Sequence, residues 1–335
     1  MNKRALLLGG TGAIGIYLAP ALTERGYDVT ITSRNMRQSD NPSVQYIICN
    51  ARNDIDALER ILATGWDAVV DFMIYSTNEF RIKFTNMLAN TEHYIYLSSY
   101  RVYADSQSIA IREDFPRLLE TSEDMGFLAT DEYALAKARQ EDILRGSGWL
   151  NWTVVRPAIT YSINRFQLVT LEADMIINRS LRKRPVIVPE PALSHKTTMT
   201  WAGDAARMMA ALINEPSAFG GIYNICTSEY RTWGEVAGYY HEILGLEIVP
   251  VTIEDYLMIT GTKALYQLRY DRLLDRVMDN KKILSFSNIE HNSLMLLRDG
   301  LVHELSKLYS LGYDLTGNQQ MNKAMDMYLY ANHFT

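Results

Sequence analysis

Apolar positions in the first half of the chain follow two alternating rhythms. Short runs dense in Val, Ile, Leu and Tyr occupy residues 5–8, 28–32, 44–48, 68–72, 94–98 and 153–156. Between them, residues 14–25, 55–64, 79–90 and 131–146 repeat apolar side chains at the three-to-four spacing of a helix face. Strands alternating with helices of this length predict βαβ units. A sheet built from them must be covered on both faces, and its crossovers are right-handed. The expected architecture is an α/β doubly wound parallel sheet whose ligand lies at the carboxyl ends of the strands.

After Pro157 the pattern loosens. Residues 182–191 are rich in proline and basic side chains, 204–214 read as a helix and 221–225 as another strand. From Tyr230 onward the chain is mainly helical, with a short apolar run at 246–251 and a last helical stretch after Gln319. These shifts predict a core over residues 1–162, rejoined by about 195–227. A smaller, mainly helical substrate lobe is expected from 163–194 and 228–335.

Composition narrows the partners. The 335 residues carry a formal net charge of -6, which gives no general affinity for phosphate backbones and argues against nucleic acid. No stretch reaches the roughly 18 apolar residues of a membrane span, and the short run after Met1 ends in glycines rather than a cleavage site. A cytoplasmic protein is expected, which also suits two lone cysteines, Cys49 and Cys226, as buried inert thiols. The six histidines lack H-x-x-x-H or H-E-x-x-H spacing, so no metal is expected.

Candidate chemistry begins at Gly9-Gly10-Thr11-Gly12-Ala13-Ile14-Gly15, between the first strand and the first helix. In that context Gly9 permits a tight turn, Gly12 lets backbone approach a pyrophosphate, and Gly15 lets the helix pack on the strand. The helix N-terminus adds N–H donors and the positive end of its dipole, so Thr11, Ala13 and Ile14 join the cofactor contacts. The second strand ends in Ser33-Arg34, with Arg37 one turn on, where NAD-preferring proteins place a carboxylate for the ribose. Serine and guanidinium suit a 2′-phosphate, so NADP(H) is expected over NAD(H); Arg34 as a solvated loop charge is the alternative.

Further on, Tyr133-Ala134-Leu135-Ala136-Lys137 sets a phenol and an ammonium one helical turn apart. A free phenol titrates near pH 10, and a neighbouring cation favours the phenolate. The run 94–98 closes on Ser98-Ser99, placing hydroxyls at a strand's carboxyl end.

Here the sequence resembles the extended short-chain dehydrogenase/reductase family, which includes nucleotide-sugar epimerases, dehydratases and ketoreductases on a Rossmann fold. Ser98-Ser99-Tyr100-Arg101-Val102-Tyr103 matches its Ser-Ser-x-x-Val-Tyr, and Thr85-Asn86-Met87-Leu88, Arg156-Pro157, Asp204-Ala205-Ala206 and Tyr223-Asn224-Ile225 resemble its other elements. The resemblance implies hydride transfer at a carbinol carbon. Tyr133 would exchange the proton, Ser99 would bind the same oxygen, and Lys137 would hold the nicotinamide ribose and favour the phenolate. It also implies cofactor contacts at Asn50, Phe72 and Pro157, and a homodimer.

Two features bear on the substrate. Thr130-Asp131-Glu132 looks like the catalytic group of sugar-nucleotide dehydratases but stands before Tyr133, not after the fifth strand; Thr130 as helix N-cap is the expected role. The asparagine that epimerases of uridine-diphosphate sugars carry near Arg156-Pro157 is absent, leaving Tyr100, Asn164, Arg165 and His195 as substrate-side candidates. The expected function is epimerisation or reduction at a hydroxyl or keto carbon of a nucleotide-activated sugar. A small non-sugar carbonyl and a non-enzymatic, cofactor-sensing role are the alternatives.

Overall fold

The computed structural model describes residues 2–107, 109–311 and 317–333. Its centre is a parallel sheet of seven strands: β1 (Lys3–Leu8), β2 (Tyr27–Ser33), β3 (Val44–Ile48), β4 (Trp66–Asp71), β5 (Thr91–Leu97), β6 (Trp152–Pro157) and β7 (Ile222–Ile225). Their spatial order is β7-β6-β5-β4-β1-β2-β3. The order reverses beside β1, so the crevice between β1 and β4 is the switch point where such sheets bind ligands.

The strand sequences explain the layering. Along β1, Ala5 and Leu7 belong to one core and Leu6 and Leu8 to the other, all fully buried. Val70 and Val69 on β4 divide the same way. Successive side chains point to opposite faces, so an all-apolar strand requires cover on both. Helices α1 (Gly15–Thr23) and α5 (Ala202–Leu212) pack together on one face. On the other lie α2 (Ile55–Leu62), α3 (Thr77–Ala89) and α4 (Tyr133–Arg145), with α3 against α4.

The helix starts differ from expectation at one informative place. Thr130 does not cap α4; its hydroxyl donates to Phe127 O, and Glu132 is the cap, accepting from Ala134 N. Asp131 instead accepts from the Thr77 N–H (2.7 Å) and hydroxyl (2.6 Å), pinning the start of α3 to that of α4. Where a dehydratase-like triplet stands in the sequence, the structure has a helix junction.

The lobe beyond β6 is less purely helical than its sequence suggests. Residues Val186–Pro189 pair in parallel with Ile248–Val251, the apolar run, and Ile159–Tyr161 pair with Met199–Trp201. The core around Trp233, Tyr240 and Tyr256 joins this lobe to Tyr100, Val102 and Tyr103 after β5 and to Ala138 on α4. Both cysteines are buried, and burial raises both thiols above their ordinary pKa. Among the described residues, no helix is long and apolar enough to cross a membrane.

Candidate active site

The carboxyl ends of β1, β4, β5 and β6 open into one cleft of about 510 Å³. Gly9, Gly12, Ala13 and Ile14 form one wall; Phe72 and Ile74 continue from β4, Leu97 to Arg101 from β5, and Pro157 to Thr160 from β6. Tyr133 and Lys137 enter from α4. Residues far apart in the chain thus meet because four parallel strands end together.

The glycine turn is set by backbone geometry. Gly9 has φ +71°, and a Cβ there would sit 2.6 Å from Met73 Sδ. A Cβ on Gly15 would stand 2.1 Å from Gly10 O, so only glycine lets α1 begin this close to β1. A Cβ on Gly12 would meet nothing within 4 Å. The space beside Gly12 faces the first turn of α1, whose N–H groups have no partner within the helix. A pyrophosphate fits such a place, in shape and in charge.

Ser99, Tyr133 and Lys137 share the opposite wall. Ser99 follows β5, its Oγ accepting from Arg101 N at 3.2 Å. Tyr133 opens α4, half-buried, with the Lys137 ammonium 5.9 Å from its ring centre. Lys137 is 2% exposed and donates to Leu97 O (2.6 Å) and Met73 O (3.4 Å), leaving one of its three donors. Burial pulls its pKa down to about 8, against the opposing pull of Asp71 and Glu141. Asp71 ends β4 beneath the cleft and accepts from Tyr94 Oη (2.7 Å) and Met73 N (2.9 Å). Burial pushes its carboxyl up to about 6.

One turn below Lys137, Glu141 receives Arg156 through Nε (2.9 Å) and Nη2 (2.6 Å), Ser98 Oγ (2.5 Å) and Arg117 Nη1 (3.1 Å). Burial alone would raise this carboxylate, yet the Arg156 hydrogen bonds and charge, with Ser98 and Arg117, hold it below its ordinary range. The network ties β5, β6 and α4 together directly behind Ser99.

The substrate-side candidates separate. Tyr100 and Arg165 line the cleft, with Tyr100 Oη donating to Asp271 (2.8 Å). Asn164 sits at the rim and donates to Thr11 O at 3.3 Å. His195 lies outside the cleft wall, its N–H engaged with Ala192 O and its Nδ1 3.4 Å from Asp275. Four cleft residues carried no sequence motif of their own: Gln167, Glu172, Gln267 and Arg272. Arg101 did have a signal, its place two residues after Ser99.

At the adenosine end, Ser33 is buried and its Oγ accepts from Asn35 N (3.3 Å). Arg34 and Arg37 stand exposed, in no ion pair among the described residues. Asn50 accepts from Arg52 N and Asn53 N, shaping the turn after β3.

Comparison with known proteins bears on the fold. Residues 9–175 match the NAD(P)H-binding family model. One curated relative is the chloroplast stem-loop binding protein of 41 kDa b from Arabidopsis thaliana, 25% identical over 250 residues. The match covers 70% of this chain but only 62% of that protein. Among solved structures, dTDP-glucose 4,6-dehydratase from Bacillus anthracis in complex with NAD aligns with TM-score 0.69 at 16% identity, covering 92% of this chain and 97% of its own. UDP-glucuronic acid 4-epimerase from Bacillus cereus, solved with UDP-glucuronic acid and NAD, aligns with TM-score 0.67 at 16% identity, covering 92% and 99%. Residues 9–175 therefore resemble the NAD(P)H-binding family, and the chain has the fold of the NAD-dependent epimerase and dehydratase structures.

Proposed function

We propose that the protein is an NAD(P)-dependent oxidoreductase acting at a hydroxyl or keto carbon of a nucleotide-activated sugar, as an epimerase or a ketoreductase. One observation carries this reading: the glycine turn and the Ser99, Tyr133 and Lys137 side chains face one cleft. Bound NAD(P) supplies the hydride donor or acceptor. Tyr133 Oη exchanges the proton on the substrate oxygen, and Ser99 Oγ hydrogen-bonds that same oxygen. The buried Lys137 ammonium favours the phenolate of Tyr133 and offers its remaining N–H to the cofactor ribose. Gly12, Ala13 and Ile14 take the pyrophosphate, with Asn50, Phe72 and Pro157 completing the pocket. Ser33, Arg34 and Arg37 hold a 2′-phosphate, which favours NADP(H), and Asn164 and Arg165 flank the substrate diphosphate.

The test is the nucleotide released when the purified protein is denatured, identified by mass spectrometry. Retained NADP⁺ or NAD⁺ supports an epimerase that regenerates its cofactor each cycle, and NAD⁺ would refute the role of Arg34. An empty protein that then binds NADPH above NADH supports a ketoreductase. A chain that binds neither overturns the reading.

A second reading, RNA binding, is prompted by the name of the Arabidopsis relative. The net charge of -6 weighs against it. Salt-dependent binding of a stem-loop RNA would favour it, and loss of that binding on adding NADPH would join the two readings.

A further inference from the structure

The cleft is electrostatically lopsided. Its charged lining consists of four cations, Arg101, Lys137, Arg165 and Arg272, and one carboxylate, Glu172. The carboxylate is already occupied by a hydrogen bond from Gln167. Behind the wall, three guanidinium groups converge on a single acid: Arg272 and Arg276 pair with Asp271, and Arg101 Nε approaches it at 3.5 Å. Glu132 takes one Arg101 Nη2 proton at 2.6 Å. Counting Arg101, Arg165, Arg272 and Arg276 against Asp271, Glu132 and Glu172 leaves one positive charge over, and Arg165 stands in no ion pair among the described residues.

Position gives this excess a meaning. The Arg101 guanidinium carbon lies 5.1 Å from the ring centre of Tyr133. Arg101 follows Ser99 by two residues, and its buried Nε makes no hydrogen bond. Arg272 donates to Tyr100 Oη (2.6 Å) and to Gln167 Oε1 (3.1 Å), so it is held at the cleft wall. Both guanidinium groups are paired, but the cluster as a whole keeps a positive excess, which is costly in a partly dry cleft and becomes favourable when an anion completes it.

We propose that Arg101 and Arg272, with Arg165 at the rim, form an anion-binding subsite for an acidic group on the reacting half of the substrate. That group is a carboxylate or a phosphomonoester within a few ångströms of the oxygen that meets Tyr133. The subsite makes the substrate a sugar acid or sugar phosphate rather than a neutral sugar. It rests on the proposed function only in taking Tyr133 as the mark of the reacting end.

Binding of D-glucuronate, D-glucose 6-phosphate and D-glucose to the full chain, measured by calorimetry at constant ionic strength, tests the subsite without any nucleotide. A background carrying Arg34→Ala and Arg37→Ala removes both guanidinium groups at the adenosine end. The expected result is about tenfold preference for an acidic sugar over glucose. Which acid wins distinguishes carboxylate from phosphate. Arg101→Met should abolish the preference and Arg101→Lys restore part of it, with melting temperature and NADPH affinity near those of the parent. Equal binding of all three sugars, or a preference that survives Arg101→Met, overturns the proposal. Because the probes carry no nucleotide, failure on nucleotide sugars and failure of the subsite are separate results.

Discussion

Helix α4 buries two opposite charges four residues apart, and the chain treats them in opposite ways. Glu141 is met by two arginines and a serine, and every lone pair facing the core has a donor. Lys137 has two backbone carbonyls and no carboxylate in hydrogen-bond contact, and its ammonium lies 4.7 Å from the Tyr96 ring centre and 5.9 Å from that of Tyr133. The first charge is closed on itself and holds β5, β6 and α4 in register. The second is incomplete at a cost in stability, and under the proposed function that incompleteness is what would let it act on Tyr133 and on a ligand. Burial therefore does not distinguish structural from reactive charge; completeness of the partner set does.

The largest expected effect falls on the closed centre. Glu141→Gln leaves Arg156 and Arg117 without their shared acid and should cost about 3–5 kcal/mol of stability, read by denaturant unfolding. A loss under about 1 kcal/mol would mean the network is worth no more than a surface pair. At the open centre, Tyr133→Phe should lower turnover about 10²–10⁴-fold while melting within a few degrees of the parent. A Phe variant with full activity would remove Tyr133 from the chemistry.

Lys137→Met sharpens the contrast because its sign is reversed. The folded pKa, about 8, lies below the ordinary 10.5, so the unfolded chain holds this proton more tightly. Below pH 8 the buried ammonium destabilises the fold, and the penalty fades as pH rises from 8 to 10.5. Lys137→Met should thus gain about 2 kcal/mol at pH 7 after the lost carbonyl bonds are counted, lose that gain above pH 10, and be inactive. In the parent, kcat/KM for the cofactor, which reports the free enzyme, should fall as pH rises through about 8. A variant both less stable and still active would break the comparison.

The smallest effect belongs to neither centre. Arg34 is exposed and unpaired among the described residues, so Ser33→Asp with Arg34→Asn should leave stability within about 0.5 kcal/mol. It should move preference from NADPH toward NADH by roughly tenfold, measured by titrating each cofactor. Unchanged preference would reduce Arg34 to a solvated charge.

What was legible in the sequence follows the range of the interactions. The glycine turn, the Tyr133–Lys137 spacing and the serines closing β5 are local, and a strand end or one helical turn suffices to place them. All seven strands of the sheet announce themselves because a sheet covered on both faces needs continuous apolar runs. Arg272 and Gln267 could not be read this way: they reach the cleft through packing of a segment more than a hundred residues beyond Tyr133. Asp71 offered a fainter signal, an acid directly after the apolar run Ala68-Val69-Val70. The misassigned cap at Thr130 has the same origin, since a Thr-Asp-Glu run contains three competent acceptors and tertiary contact with Thr77 selects among them.

The position of β7 in the sheet has a consequence for how the protein is made. Its partner β6 ends at Pro157, but β7 begins at Ile222, so the lobe containing Val186–Pro189 is synthesised between two neighbouring strands. While a ribosome is still reading that stretch, the outer edge of β6 has no neighbour, and its unpaired N–H and C=O groups are open to any passing strand. A fragment ending at residue 175, where the cofactor-binding homology stops, would carry that open edge permanently. Expression of the cofactor domain alone should therefore yield aggregates, and a soluble minimal unit has to run at least through Ile225.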